Sequence, residues 1–372
     1  MTLSLDAALK RVESHITPGS TIVVGMSGGV DSSVAAALLK ELGYTIVGLF
    51  MKNWEEEGSC PAEADAQDVA KVARILSIPF YTVNFAKEYK EQVFEEFLAD
   101  LKKGLTPNPD VLCNREIKFK RLLEKALSLG ALGLATGHYA KNREDQGRFF
   151  LERSEDASKD QTYFLYTATQ ATLSKTLFPL ANLKKTEVRH LASLLHLPVA
   201  DKKDSTGICF IGERNFKEFL YPYLGFSEGE IRSVVNELMG THVGLAYYTI
   251  GQRKGLGIGG KGDAWFVVGK DVEKNQLIVA QGENHPALYS KALLAEGAHW
   301  ISGKSPTFPL ECTAKIRYRQ QDQSCHVEQE GERLRVTFST PQRAVTPKQS
   351  IVFYNKRECL GGAFIYRNKL KN

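Results

Sequence analysis

The stretch Gly25-Met26-Ser27-Gly28-Gly29-Val30-Asp31-Ser32-Ser33 limits what this chain can fold into more than any other segment. It follows an apolar run, Thr21 to Val24, and leads into a helical pattern, Ser32 to Leu42, so it reads as a strand-to-helix turn. Adjacent glycines let the backbone close around an anion. The serines add hydroxyl groups, and the helix N-terminus brings unpaired N–H groups and a partial positive charge. Pyrophosphate suits such a nest. No Gly-Lys-Ser/Thr follows, so this is not a Walker loop, and without Gly-x-Gly-x-x-Gly it is not a dinucleotide fingerprint.

The alternation continues with a strand (Tyr44 to Phe50), a helix (about Ala62 to Ser77), a strand (Phe80 to Val83), helices over Lys87 to Lys103 and Ile117 to Leu129, and a strand (Leu132 to Thr136). Repeated βα units predict an α/β fold with a doubly wound parallel sheet. After about residue 212 the pattern changes: Phe216 to Leu220 and Ile231 to Met239 read as short helices, and Gly251 to Gly262 holds six glycines. Beyond residue 288, short alternating segments separated by Pro and Gly turns, among them Cys312 to Arg319, Arg333 to Phe338 and Ser350 to Tyr354, predict a small β-barrel or sandwich. The expected organisation is a catalytic domain over 1–212, a small central domain over 213–287 and a C-terminal barrel over 288–372.

Charge divides along the same lines. The chain is +5 overall, yet from Leu288 to Asn372 there are fourteen Lys and Arg against seven Asp and Glu. A basic module on a near-neutral body points to a polyanionic partner. Within Cys312 to Arg319, strict alternation would turn Lys315, Arg317 and Arg319 outward together, against the backbone phosphates of a nucleic acid. No apolar run approaches the ~20 residues of a membrane helix, and Met1 to Ser20 lacks the charged-then-apolar order of a secretion signal. A cytoplasmic chain with no membrane partner is expected.

Cys60, Cys113, Cys209, Cys312, Cys325 and Cys359 include no Cys-x-x-Cys, so neither zinc nor an iron–sulfur cluster is expected. Two lie in loops shaped by Gly and Pro. In Thr106-Pro107-Asn108-Pro109-Asp110-Val111-Leu112-Cys113-Asn114, the prolines stiffen the chain and fix Asp110 three residues before Cys113. A helix starting near Ile117 would aim its N-terminus at that sulfur. In Asp204-Ser205-Thr206-Gly207-Ile208-Cys209-Phe210-Ile211-Gly212, flanking glycines leave the cysteine approachable.

Ser27-Gly28-Gly29-Val30-Asp31-Ser32 resembles the pyrophosphate loop of the N-type ATP pyrophosphatases, which split ATP into AMP and pyrophosphate while adenylating a substrate oxygen. That motif alone leaves GMP, argininosuccinate and NAD synthetases and several tRNA-modifying enzymes open. Taken with both cysteine loops, and with Leu49-Phe50-Met51-Lys52, Ala135-Thr136-Gly137-His138-Tyr139-Ala140, Lys159-Asp160-Gln161, Thr249 to Gly257, Arg317-Tyr318 and Thr346-Pro347-Lys348-Gln349, it resembles the tRNA-specific 2-thiouridylase family over nearly the whole chain. The family pattern usually has Gly where Lys348 stands.

The resemblance implies adenylation of the C2 oxygen of the wobble uridine of tRNA and its replacement by sulfur. Carried over by position, Gly25, Met26, Ser27, Gly28, Gly29, Val30, Asp31 and Ser32 hold the ATP phosphates, while Met51 and Gly137 line the adenosine pocket. Asn108, Pro109 and Asp110 meet the target base. Cys209 bears a persulfide, Cys113 attacks it, Asp110 is the general acid/base, and a Cys113–Cys209 disulfide results; two loop cysteines without metal spacing are compatible with such exchange. His138, Lys159, Asp160, Gln161, Arg317, Tyr318 and Gln349 contact tRNA. Magnesium accompanies ATP, with Asp31 a candidate ligand. The implied partners are the Lys, Glu and Gln tRNAs and a sulfur donor, either a cysteine desulfurase or a relay protein. A small-molecule ligase of the same superfamily would keep the loop and need neither cysteine. A nucleotide-sensing RNA-binding protein would not release pyrophosphate with tRNA.

Overall fold

The computed structural model describes residues 3–55, 61–204, 211 and 214–367. Cys60 and Cys209 lie outside the described residues. Among those described, no helix is long and apolar enough to cross a membrane.

The first sheet is parallel and built from β1 (Thr21–Met26), β2 (Thr45–Lys52), β3 (Phe80–Asn84), β4 (Gly133–Thr136) and β7 (Thr176–Leu177), in the order β3-β2-β1-β4-β7. The chain winds from β1 through β2 to β3, then returns to place β4 on the other side of β1. The order therefore reverses between β1 and β4, and open α/β sheets bind ligands outside the carboxyl ends of the strands at such a reversal. Central β1 is buried along Ile22, Val23 and Val24, as a strand covered by helices on both faces requires. The helix Val30–Glu41 packs on it with an almost wholly buried run, Val34 to Leu39.

The second expected helix of the middle domain is absent. Phe216–Leu224 is helical, but Ile231 to Met239 forms parts of β8 (Gly229–Ser233) and β9 (Leu238–His242), joined through Asn236 at φ +69°. With β10 (Trp265–Asp271) and β11 (Gln276–Gln281) they make a four-stranded sheet in the order β10-β11-β8-β9. Partners more than 40 residues away decide the conformation there: Glu230 to Ser233 align with Gln276 to Val279 of β11.

The C-terminal barrel is formed by β12 (Tyr289–Trp300), β13 (Leu310–Lys315), β14 (Gln323–Glu330), β15 (Arg333–Arg343), β16 (Ser350–Asn355) and β17 (Glu358–Arg367), closed by pairing of β12 with β17. Closure removes the exposed strand edge. One hairpin from the first 212 residues, β5 (Ala140–Asp145) and β6 (Arg148–Arg153), extends this sheet through contact of β6 with β17. Tyr163 donates to the Ser350 carbonyl at 2.9 Å and Arg153 pairs with Asp322 at 2.9 Å, so the barrel and the first 212 residues are tied by buried and surface bonds.

Leu38 is fully buried between the helix and β1. Leu38→Ala is expected to destabilise the α/β domain by ~2–5 kcal/mol through lost burial and the cavity left behind. Denaturant unfolding followed by a probe in that domain checks this.

Candidate active site

At the end of β1 the backbone turns through Gly28 at φ +74°, a conformation that favours glycine. A Cβ there would also stand 2.7 Å from the Asp65 carbonyl oxygen. Gly29 caps the helix Val30–Glu41, the Ser32 hydroxyl accepts from the Ser27 N–H at 3.1 Å, and the Ser33 hydroxyl donates to the Gly29 carbonyl at 2.8 Å. Those side chains shape the turn and leave the first backbone N–H groups of the helix for an anion. Gly137 closes the other wall: a Cβ on it would lie 2.6 Å from the Ser32 nitrogen. Met26 points into the core at 2% exposure, leaving only its backbone to face the turn, and half-buried Met51 is the next-to-last residue of β2, following Phe50, the register partner of Met26.

Asp31 faces the protein. Lys185, only 8% exposed, donates to both of its carboxylate oxygens at 2.7 Å, and the Tyr139 hydroxyl donates to one at 2.8 Å. Burial, then the Asp31 charge, hold the Tyr139 hydroxyl protonated well above its usual range. Lys185 also pairs with Asp204 at 2.7 Å, where Lys159 (2.7 Å) and Arg189 (2.8 Å) converge. Burial works to raise the Asp204 carboxyl, but the Lys159 and Lys185 hydrogen bonds overcome it and hold the pKa at about 2. Lys202 donates to the Gly28 carbonyl at 3.0 Å while pairing with Asp65 and Asp68, each at 2.7 Å. Lys185 and Lys202 belong to no segment picked out in the sequence, and Tyr139 enters there only as part of Ala135 to Ala140. A lone lysine carries no local pattern, and only the fold brings these to the turn.

The Cys113 turn differs from its expected form. The helix starts at Pro109, eight residues before Ile117, because the Asn108 side chain accepts from the Asp110 N–H at 3.2 Å and Pro109 occupies the first helical position. Cys113, 3% exposed, therefore lies inside the helix rather than ahead of its N-terminus, at the start of π-helical turns over Cys113–Leu122. Three residues apart on one helical turn, Asp110 and Cys113 share a face. Burial raises the Asp110 carboxyl pKa, with the Lys118 ammonium working against it. His138 is held neutral by burial and by that same ammonium; it bonds Thr136 at 2.8 Å between the rings of Phe119 and Phe178.

The barrel reaches this loop directly. Gln349 donates to the Thr106 carbonyl at 2.8 Å, and Thr106 N–H donates to the Pro347 carbonyl at 3.3 Å. Lys348, at φ +70° where the family pattern has Gly, extends to Asp100 at 3.5 Å. The outward triad of cations is not present. β13 ends at Lys315, whose side chain is 12% exposed beside Asp322, and Arg319 is at φ +64° in the turn that follows. Arg317 turns inward to donate to the Ile250 and Ala344 carbonyls at 3.0 and 2.9 Å, riveting the middle domain to the barrel; only Arg319 is exposed. Tyr318 packs on Phe164, ring centroids 4.5 Å apart. Asp160 is buried against the Thr162 hydroxyl, and Gln161 accepts from the Tyr139 N–H at 2.9 Å, so those two side chains organise the segment internally.

Comparison with known proteins matches this arrangement along the chain. Residues 20–213 match the model described as tRNA methyl transferase HUP domain, 217–281 that of the tRNA methyl transferase PRC-barrel domain, and 290–365 that of the aminomethyltransferase beta-barrel domain. The chain is 55% identical over 350 residues to the tRNA-specific 2-thiouridylase MnmA of Protochlamydia amoebophila, covering 93% of each chain. It is 56% identical over 351 residues to MnmA 1 of Geobacillus kaustophilus, covering 92% of this chain and 95% of that one. With MnmA of Staphylococcus epidermidis the identity is 54% over 358 residues, covering 94% and 96%. The chain belongs to the tRNA-specific 2-thiouridylase family.

Membership does not supply a metal site. Both Asp31 oxygens already accept hydrogen bonds, and among the described residues no group of three or more His, Cys, Asp or Glu is arranged to hold a metal ion. Asp31 is therefore engaged within the protein, and magnesium bound with ATP would take most of its oxygen ligands from the phosphates and water.

Because the folded Asp204 carboxyl lies near 2, below the ~3.9 of an unstructured Asp, its pairing stabilises the fold at pH values above the unfolded pKa and is lost as pH falls through about 2. A carboxyl NMR titration should show that low midpoint, and Lys159→Ala should raise it. A midpoint near the unstructured value in both proteins would contradict the network.

Proposed function

We propose that this enzyme adenylates the C2 oxygen of the wobble uridine of tRNA and replaces it with sulfur. Family membership carries the class, a tRNA sulfurtransferase acting on uridine. The observation that carries the finer reading is the barrel loop bonded through Gln349 to the approach of the Asp110–Cys113 turn, in a chain that also has a Gly-rich turn at the sheet's reversal point.

The uracil oxygen is a poor leaving group, and adenylation makes it part of AMP. The backbone from Gly25 to Ser32 holds the ATP phosphates with N–H groups at a helix N-terminus, where charge developing on pyrophosphate is stabilised without reorganisation. Lys185 and Tyr139 keep the Asp31 carboxylate turned away from that incoming negative charge. Asn108 and Pro109 fix the turn against which the base is held, Gly137 sets the depth of the adenosine pocket, and Met51 lines it.

For sulfur transfer, Cys209 carries the persulfide. Asp110 takes the Cys113 proton; the thiolate attacks the inner sulfur, forming a Cys113–Cys209 disulfide and expelling hydrosulfide. Hydrosulfide displaces AMP from C2 and loses its proton, and an external reductant reopens the disulfide. A carboxyl raised by burial is a stronger base than an ordinary one, which suits proton removal from a thiol. Tyr318 and Arg319 at a turn of the basic barrel meet the RNA, with Arg317 and Gln349 holding that surface in place. The Lys, Glu and Gln tRNAs are the proposed substrates, with sulfur from a desulfurase or a relay protein.

Protein incubated with tRNA, ATP and sulfide should produce 2-thiouridine, detected by nucleoside mass spectrometry, with pyrophosphate released. No 2-thiouridine under those conditions would sink the reading, and pyrophosphate release without tRNA would favour a small-molecule ligase. With a desulfurase as donor, Asp110→Asn should slow thiolation by ~10²-fold or more. The wild-type rate should rise with pH through the elevated Asp110 pKa, and that limb should vanish in the variant; an unchanged profile removes Asp110 as the base.

A further inference from the structure

The barrel holds a second thiol pair, far in sequence from the Cys113 turn. Cys312 of β13 and Cys325 of β14 are directly opposed register partners, and their sulfurs lie 3.7 Å apart. Opposed residues of antiparallel strands have Cα atoms ~4.5–5.5 Å apart, inside the ~4.4–6.8 Å that a disulfide spans. Bond formation then needs side-chain rotation and no movement of strands. Both strands are held from outside as well, β13 by β16 and β14 by β15. Cys325 is 3% exposed whereas Cys312 is half-buried, so an oxidant meets Cys312 first.

We propose that Cys312 and Cys325 form a reversible disulfide that staples the base of the β13–β14 hairpin, whose connecting residues 316–322 include Arg317, Tyr318 and Arg319. The bond itself does not rest on the thiolation reading. The oxidant is a low-molecular-weight disulfide. The Cys312 thiolate attacks one of its sulfurs, giving a mixed disulfide and one free thiolate. Cys325 then loses its proton to solvent, attacks the Cys312 sulfur and expels the second thiolate. Two protein thiols are oxidised and one small disulfide is reduced to two thiols. In a reducing compartment the staple is transient.

The test treats the full chain with excess oxidised glutathione, alkylates remaining thiols and maps peptides without reduction. Expected is a Cys312–Cys325 link with the loss of two hydrogens, reversed by dithiothreitol, together with slowed amide exchange across 316–322. Cys325→Ser should trap a stable glutathione adduct on Cys312. Cys312→Ala, the milder change at the less buried position, should leave Cys325 unmodified and its hairpin exchange insensitive to oxidant. Alkylation of both cysteines after treatment, a lasting glutathione adduct on wild-type Cys312, or unchanged exchange at 316–322 would overturn the proposal. Peptide mapping separates this link from any bond made by Cys113.

Discussion

The site is organised by a contact with no room in it: the backbone at Gly137, just past β4, lies against the first turn of the helix that leaves β1. Only glycine allows it. Because β1 and β4 are neighbours at the reversal of strand order, with Gly25 opposite Thr136, the turns after both strands meet over the same point. One wall of the pocket is thereby set by sheet register, and the other by Gly28 pressed on Asp65. The N–H groups between them are held by these two backbone contacts together with the Ser32 and Ser33 hydroxyl bonds inside the turn.

Charge around that turn is balanced by lysines brought from elsewhere in the chain. Lys185 joins Asp31 to Asp204, and Lys202 joins the Gly28 carbonyl to Asp65 and Asp68. Asp204 is thereby bonded to the same lysine that holds Asp31 in the turn after β1. On the opposite side, the barrel segment Thr346 to Gln349 grips Thr106 and Pro107, ahead of the Asp110–Cys113 turn. The barrel is thus bonded directly to the chain segment that leads into the Asp110–Cys113 turn.

Where the chemistry is local, the sequence was legible. The strand-to-helix turn, the parallel sheet and the C-terminal run of short strands follow from contiguous residues and their periodicity, while closure of those strands into a barrel comes from the pairing of β12 with β17. The start of the Cys113 helix is also written locally, in the Asn108 cap and Pro109 at the first helical position, a signal that the apolar pattern from Ile117 does not contain. Ile231 to Met239 became two strands because β11, far along the chain, pairs with the first of them. Arg317 defeated alternation for a related reason: the strand stops at Lys315, and acceptors at Ile250 and Ala344 draw the guanidinium inward. Lys185 left no local trace, since its role depends on two carboxylates lying 154 and 19 positions away.

If the uridine oxygen leaves as part of AMP, as proposed, the transfer can be followed with tRNA whose target uridine carries heavy oxygen at C2, incubated with enzyme, ATP and a sulfur source in ordinary water. One heavy oxygen is expected in AMP for every 2-thiouridine formed, and none in pyrophosphate. Heavy oxygen recovered in water or pyrophosphate, with unlabelled AMP, would contradict it.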